Sequence, residues 1–459
     1  MSAPTNPKRI PRAEEQDSSN LSGGLDGVTI MRYAHIKRQR TSGGVEQYLR
    51  HLDRGLLQRH RLTILQMHLA DGDSDDSIDI EKVGLGRIFW IPVPFRETNT
   101  LLADLPKRIA YVYRRSRHLR RCEGKGRFSE TMFFMHSLLR HHCGHLRNRT
   151  AILSDQLLDL LQSQHIDLLA VHWMTYDTNA LLSQAFTNRV PFVFINHFDN
   201  TRWSLPLIRK WIPKAAGIGA VSESNIPADL RSHCVNLSDA IDVEFFDPRK
   251  AQPLGLAGRK IVLLPARIQR GKGHHDLLNA ARIVIQKGNI NPIVCFIGAV
   301  DCEPLFQELQ REASATGLGE TVFFLGEKSA EELRDWYEAS SMVVLPSASE
   351  GLPRVLLEAQ AMKKPVLAYD AGGVRDAMLP GKTGFLVRTG NVEGMAERIK
   401  FLIEHEREGQ LLGERGRDFV SRQFGIVGLI QRHEGFYYSA LGRDEGLSEI
   451  VTEPAISIT

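Results

Sequence analysis

PSASEGLPRVLLEAQAMKKPVLAYDAGGVRDAMLPGKTGFLV, residues 346–387, is the stretch whose reading decides the fold. An apolar strand, SMVVLPS (341–347), runs into it and ends at Leu345. A Gly/Ser/Pro loop carrying Glu350 follows, and a helix is expected to start near Pro353. Proline suits a first helical turn because its missing N–H would have had no intrahelical partner. KPVLAYD (364–370) is the next strand, and GKTGFLV (381–387) reads as a turn with a short strand. Strand, helix, strand with short connections is the unit of a parallel sheet.

The same alternation extends both ways. KIVLLPA (260–266), PIVCFIG (292–298) and TVFFLG (321–326) are further strands, with ELRDWYEAS among the helices between them. Residues 392–404, 411–424 and about 426–442 read as helices. Toward the N-terminus, GVTIMRY (27–33) is a strand followed by QRTSGGVEQYLRHL. There Val45, Tyr48, Leu49, Leu52 and Leu56 recur at helical spacing. RLTILQM, DLLAVHW (167–173), PFVFINH (191–197) and AAGIGAVS (215–222) are strands with nearly continuous apolar runs, as expected where helices cover both sheet faces. DPRKAQPLGLAGR (247–259) has the composition of an interdomain linker.

The expected fold class is α/β, with two doubly wound Rossmann-like halves facing across a cleft. The domains are 27–250 and 251–425, with a helix at 426–445, polar tails at 1–26 (expected to be disordered) and 446–459, and an insertion at 85–150. Ligands of such sheets bind at the carboxyl ends of the strands.

The 459 residues suit two or three domains at roughly 150 residues each. Hydrophobic residues at 42% and charged residues at 24% exclude a wholly disordered or collagen-like chain. No apolar run approaches the ~18–20 residues needed to span a bilayer. The N-terminus lacks the apolar core of a signal peptide. Cys122, Cys143, Cys234, Cys295 and Cys302 are odd in number and scattered, which reads as reduced thiols in a cytoplasmic protein. The net charge of +4 hides an asymmetry. Lys107 to Thr150 holds 12 Lys+Arg and 2 Asp+Glu, a local balance of +10. Such a cluster is either a solvated helical surface or a contact for an anionic partner, and a membrane face is the partner expected here.

Four motifs carry chemistry. Glu350 and Glu358 stand eight residues apart. Taken along a helix, eight residues rise about 12 Å, so the two carboxylates would touch opposite ends of an extended ligand and not one metal or proton. A sugar joined to a nucleoside through a diphosphate has that length, and loop and helix-start N–H groups at Gly351, Leu352 and beyond suit its phosphates. The plainer alternative is that Glu350 caps the helix and Glu358 lies on the surface. ARIQRGKGHHDLLNA (266–280) sets Arg267 and Lys272 around a tight turn after a buried strand, a pairing that suits a pyrophosphate. It lacks Walker A spacing. Gly43 and Gly44 lie between strand and helix, where backbone can approach a phosphate closely. The absent G-x-G-x-x-G argues against a nicotinamide or flavin enzyme. His197, at the end of PFVFINH, can bond a sugar hydroxyl. His141, His142, Cys143 and His145 lack the paired second half of a metal site, so no metal is expected.

With these residues in hand, the chain resembles retaining GT-B glycosyltransferases, specifically glycosyltransferase family 4 (glycosyl transferases group 1), over about 27–80 and 165–445. EGLPRVLLEA, GG and GKTGFLV stand in the family's order and spacing; RIQRGKGHHDLL and FLG precede them. SGGVE near the N-terminus and SDAIDVEFFDP (238–248) also match. The resemblance implies that Glu350 contacts donor-sugar hydroxyls and Glu358 the ribose. It implies that Arg267 and Lys272 bind the diphosphate and that Gly43 and Gly44 approach it from the other domain. Gly351, Leu352 and Pro353 would line the pocket, His197 would sit by the donor sugar, and the last helix would cross back onto the N-terminal domain. Departures are Lys364 before Pro365-Val366, Ala240 in place of a glycine, and Asp376 in place of a glutamate.

The function so implied is metal-independent transfer, with retention, of a hexosyl unit from a UDP- or GDP-sugar to a saccharide or lipid-linked acceptor. Cell-surface polysaccharide or glycolipid synthesis at the cytoplasmic membrane face is the expected setting. No cofactor and no nucleic-acid partner is expected. Three alternatives share the sequence features: a sugar phosphorylase, a nucleotide-sugar epimerase, and a non-catalytic anionic-membrane-binding protein.

Overall fold

The computed structural model describes residues 25–34, 44–69, 79–93, 95–97, 149–151, 165–172, 178–197, 206–287 and 290–443. Within them the chain forms two parallel sheets clad by helices. The first half runs β1 (Thr29–Tyr33), α1 (Gly44–Arg59), β2 (Thr63–Leu69), β3 (Asp79–Val83) and β4 (Gly86–Val93). A short pair follows, β5 (Phe95–Glu97) with β6 (Arg149–Ala151). Then come β7 (Leu168–Val171), α2 (Thr178–Thr187), β8 (Phe192–Asn196), α3 (Pro206–Trp211), β9 (Gly217–Ala220) and β10 (Cys234–Asn236). The sheet order is β10-β9-β8-β7-β1-β2-β4-β3, parallel throughout except for β3 against β4. β7 and β8 are buried at every position, the physical counterpart of their unbroken apolar sequences.

The second half runs β11 (Ile261–Pro265), α4 (His274–Lys287), β12 (Ile293–Ile297), α5 (Glu303–Ala315), β13 (Val322–Phe324), α6 (Ala330–Ala339) and β14 (Met342–Leu345). It continues through α7 (Arg354–Ala361), β15 (Val366–Tyr369), β16 (Gly384–Val387), α8 (Val392–Glu404), α9 (Glu406–Gln423) and α10 (Ile426–Ala440). Its six strands lie in the order β13-β12-β11-β14-β15-β16, all parallel. Among the described residues no helix is long and apolar enough to cross a membrane.

One boundary differs from the sequence reading. The stretch 85–150, taken there as an insertion from its first residue, opens with β4, which pairs along its whole length with β2. IFWIPV (88–93) is an apolar run of the same kind as the other strands, set directly before the basic stretch, and it pairs with β2. The basic residues 107–148 and the tails at 1–24 and 446–459 lie outside the described residues, but Leu25 and Asp26, expected to be part of a disordered tail, are ordered parts of the first domain: Leu25 is fully buried and Asp26 accepts from Arg61 N at 2.8 Å. The linker is anchored. Arg417 donates to the carbonyls of Phe246 (2.9 Å) and Val243 (3.2 Å) and pairs with Asp247 (3.3 Å).

α10 leaves the second domain and packs on the first. Gly55 of α1 leaves room for the Ile430 side chain, which a Cβ there would overlap. Gly217 on β9 makes room for Phe436 in the same way, while Gly219 makes room for Leu237. Tyr48 Oη donates to His433 Nε2 at 2.5 Å, and Glu434 accepts from Arg59 (3.1 Å) and His60 (2.9 Å). Because α10 touches α1 through a missing side chain, Gly55→Leu should overpack this seam, at a cost of roughly 1–3 kcal/mol. The melting temperature of the full chain is expected to fall; an unchanged melt would show that α10 does not hold this position.

Candidate functional site

Sheet order determines which loops meet. In the second sheet β11 sits between β12 and β14, so the connections leaving it and β14 diverge at a topological switch point. The loops after these two strands therefore lie side by side. Gly273 adopts φ +74 directly beneath the Pro346 carbonyl, where any Cβ would collide, and Ala348 N donates to Gly271 O at 2.9 Å. This close approach brings Lys272 to Glu350 across 78 residues of sequence: Nζ donates to Oε1 at 2.6 Å. Both side chains are largely shielded, 20% and 12% exposed. Arg267 leaves the same strand end, half-exposed, and pairs with Asp301 at 2.6 Å.

α7 begins one residue after Pro353, which occupies the N-cap position without a side-chain cap bond. Glu350 therefore does not cap the helix; its carboxylate belongs to Lys272. Because Glu350 stands in the loop and only Glu358 on the helix, helical rise does not set their separation. That corrects the 12 Å spacing expected from a continuous helix. Glu358 is also not a surface residue. It is 5% exposed, with Oε2 accepting from Tyr337 Oη at 2.9 Å and Oε1 3.9 Å from Arg354 Nε. Burial raises its pKa, opposed by Arg354 and the Tyr337 hydrogen bond.

The first domain faces this loop. Gly44 opens α1 beside Arg354: a Cβ on Gly44 would touch the Arg354 Cδ at 3.5 Å. Arg354 in turn donates to Asp239 Oδ1 (2.6 Å) and Ala240 O (3.0 Å), in the segment before the linker. Asn225 Nδ2 donates to the carbonyls of Glu350 (3.2 Å) and Gly351 (2.8 Å), and Gly373 N to Glu350 O (3.1 Å). Asp376 accepts from Ser222 Oγ (2.7 Å), Ser224 N (2.8 Å) and Ser224 Oγ (2.5 Å). The aspartate at 376, a departure in sequence, is thus a clasp between domains. Gly373 is required here, since a Cβ would overlap the Gly351 carbonyl and the Ser222 hydroxyl.

The switch point of the first sheet lies between β1 and β7. His172 follows β7 and His197 follows β8, and the rings lie side by side and nearly coplanar, centroids 5.2 Å apart, with Nδ1 of His172 2.9 Å from Nε2 of His197. Tyr48 meets His197 edge to face at 4.6 Å. Burial pushes His197 and His433 down to about 3 and lowers His172 well below its ordinary range.

The structure thus brings Lys272 to Glu350 and sets Gly44 beside Arg354 at the start of α7. Arg267 lies in the same connection after β11 as Lys272, and His197 at the carboxyl edge of the first sheet. Gly43 lies outside the described residues, as do His141, His142, Cys143 and His145. Among the described residues no group of three or more His, Cys, Asp or Glu is arranged to hold a metal ion, and Cys234, Cys295 and Cys302 are free thiols. Sequence reasoning missed His172, Tyr48, His433, Ser222, Ser224, Asn225 and Arg354. His172 carried a signal, since DLLAVHW ends on a histidine as PFVFINH does. Arg354 carried another, as the one charge between Pro353 and Val355-Leu356-Leu357. Nothing local marks the serines or His433.

Two doubly wound domains clasped across their strand ends define a GT-B protein. Solved GT-B structures align over nearly the whole chain. One is Anabaena Alr3699/HepE in complex with UDP and glucose (TM-score 0.64, 17% identity, 90% of this chain and 100% of that one). Another is a glycosyltransferase from Rickettsia africae (TM-score 0.61, 16% identity, 90% and 98%). More particularly, residues 247–419 match the glycosyl transferases group 1 family. Curated relatives include the capsular polysaccharide biosynthesis glycosyltransferase CapM of Staphylococcus aureus, 29% identical over 39% of this chain and 46% of its own length. A D-inositol 3-phosphate glycosyltransferase of Arthrobacter sp. strain FB24 is 38% identical over 35% and 38%. The lipopolysaccharide core biosynthesis mannosyltransferase LpcC of Rhizobium leguminosarum bv. viciae is 27% identical over 54% and 69%. The chain spans under half the length of the first two.

The His433 environment yields a pH test. Its folded pKa of about 3 lies below the unfolded value near 6.5, so the unfolded chain binds its proton first on acidification. The stability it contributes is complete above about 6.5 and is lost as pH falls toward 3, at up to about 1.4 kcal/mol per pH unit. His433→Gln keeps an acceptor for Tyr48 and removes the titration. Melting temperatures measured from pH 7 to 4 should fall more steeply for the native chain than for the variant; parallel lines would refute a neutral buried His433.

Proposed function

We propose that this chain is a retaining glycosyltransferase of family 4 that moves a hexosyl unit from a UDP- or GDP-sugar to a saccharide or lipid-linked acceptor. The observation that carries this is the Lys272–Glu350 pair at the switch point of the second sheet, opposite Gly44 and the His197 edge of the first. In this reading the donor enters between the domains and its diphosphate replaces Glu350 as the partner of Lys272. Glu350 then turns to the sugar hydroxyls, with His197 beside the sugar. Gly43 and Gly44, Gly351, Leu352 and Pro353 line the phosphates, and Glu358 takes a ribose hydroxyl on Oε1, the oxygen Tyr337 does not hold.

The bond from the anomeric carbon to the phosphate oxygen breaks, and its electron pair leaves on the diphosphate. Arg267, Lys272 and the N–H groups at the start of α7 absorb that charge; preorganised donors of this kind contribute ~3–4 kcal/mol each. The acceptor hydroxyl forms the new bond on the same face, and its proton passes to the departing phosphate oxygen, which gives retention. Closing the clasp excludes water and suppresses hydrolysis of the donor.

Names among the relatives support the substrate class. HepE is described with UDP and glucose, CapM serves capsular polysaccharide synthesis, and LpcC is a mannosyltransferase of lipopolysaccharide core. A lipid-linked acceptor accounts for the +10 charge of 107–150, which would meet an anionic cytoplasmic membrane face.

A thermal-shift screen of UDP-, GDP- and ADP-sugars identifies the donor, since a ligand at 100 times its Kd stabilises by about 2.7 kcal/mol. With that donor, Glu350→Gln and Lys272→Ala should each abolish transfer in a folded protein. Near-native turnover in either would overturn the proposal, and an epimeric nucleotide sugar formed without acceptor and without net nucleoside diphosphate release would favour an epimerase. Because cationic side chains carry the leaving group, turnover should be unchanged by EDTA; loss restored by magnesium would assign a metal instead.

A further inference from the structure

The deepest polar cluster outside the Lys272–Glu350 pair lies behind His197. It draws on four elements: Arg32 of β1, Tyr48 and Asp53 of α1, His172 after β7, and His433 of α10. Its hydrogen bonds can be followed atom by atom. His433 Nδ1 lies 2.9 Å from the Leu429 carbonyl, which can only accept, so the proton of His433 is on Nδ1. Its Nε2 therefore accepts, and the Tyr48 hydroxyl donates to it. That bond fixes the Tyr48 ring, which stands edge-on to His197 (87° between planes) and confines it from one side. His172 lies beside it nearly coplanar, with 28° between the ring planes, the arrangement an in-plane N–H···N bond requires.

Between His172 Nδ1 and His197 Nε2 a single proton makes the bond, and it can sit on either ring. The rest of His172 decides which. Its Nε2 is buried and has no hydrogen-bond partner, in a side chain 1% exposed. A proton on Nε2 would leave an N–H donor stranded away from water, which folded proteins rarely tolerate; a stranded lone pair costs less. The proton of His172 is accordingly on Nδ1.

We infer that His172 is a positioning residue that sets the tautomer of His197: His172 Nδ1–H donates to His197 Nε2, so His197 carries its proton on Nδ1 and meets its ligand as a hydrogen-bond donor to a sugar or phosphate oxygen, not as a base. This rests on the transferase reading for the identity of the ligand, while the tautomer itself rests on the structure alone. The depressed pKa values of both rings agree, since neither is charged near neutrality. The C-terminal helix enters the same site through His433 and Tyr48, which hold the ring that His172 orients.

Asparagine and glutamine make the inference testable, because the Asn amide nitrogen occupies nearly the place of Nδ1 and the Gln amide that of Nε2. In the full chain labelled with 15N-histidine, long-range 1H–15N correlation near pH 7.5 should show one Nδ1–H histidine whose signals vanish in His197→Asn. In His172→Ala that pattern should move toward the Nε2–H form, and His172→Asn should restore it. An Nε2–H pattern for His197 in the native chain, or no change in His172→Ala, would overturn the inference. In the transfer assay, His172→Ala should lower kcat by roughly tenfold, the scale of one hydrogen bond. His172→Asn should recover it with KM for the donor unchanged, and His197→Asn should outperform His197→Gln. A reversed order of these two would also overturn it. Should the tautomer be found while no nucleotide sugar supports turnover, the transferase reading fails and the His172–His197 assignment stands.

Discussion

Parallel pairing of β11 with β14 is the constraint from which the rest of the site follows. Two adjacent parallel strands must send their connections off the same edge of the sheet. The loops that follow are therefore neighbours however far apart they lie in sequence, and Gly273 lets them touch by removing the side chain that would hold the Pro346 backbone away. Only then can an ammonium and a carboxylate 78 residues apart form a shielded pair. That pair gives the cleft a cation whose counter-charge is exchangeable, which is what a site for an anionic ligand requires.

At the strand ends the two domains meet through polar groups. Asp376 gathers two hydroxyls and a backbone amide, and Asn225 spans two consecutive carbonyls of the Glu350 loop. Such contacts are individually modest, about 0.5–1.5 kcal/mol net, and exchange readily with water. The permanent joint lies elsewhere, where α10 buries Ile430 and Phe436 against glycines of the first domain. Rigid attachment at the back and soluble attachment at the front describe a hinge.

The sequence carried the architecture because parallel strands under helices have no choice of composition. IVLLP, IVCFI and MVVL are apolar throughout and FVFIN up to its final Asn196, and each became a strand buried at all positions but half-buried Ile293. GRIFWIPV was lost because it stands directly before the basic stretch, although its IFWIPV run is apolar like the other strands and pairs with β2. In the candidate site, Glu350, Lys272, Arg267 and Gly44 announced themselves by residue type next to a turn. Glu358 was placed by counting along a helix that does not extend back to Glu350, so its burial against Tyr337 came as a correction.

By itself the amino-acid order determined two doubly wound halves, the loops that carry charge at their strand ends, and the likeness to group 1 glycosyl transferases, since these depend on local periodicity and on spacing within single turns. Tertiary structure alone decided that Asp376 clasps Ser222 and Ser224, that His433 reaches Tyr48 across 385 residues, and that His172 backs His197. These are contacts between residues with no fixed sequence separation. Their energies depend on burial and on the direction of individual N–H and O–H bonds, and neither exists until the sheets are assembled.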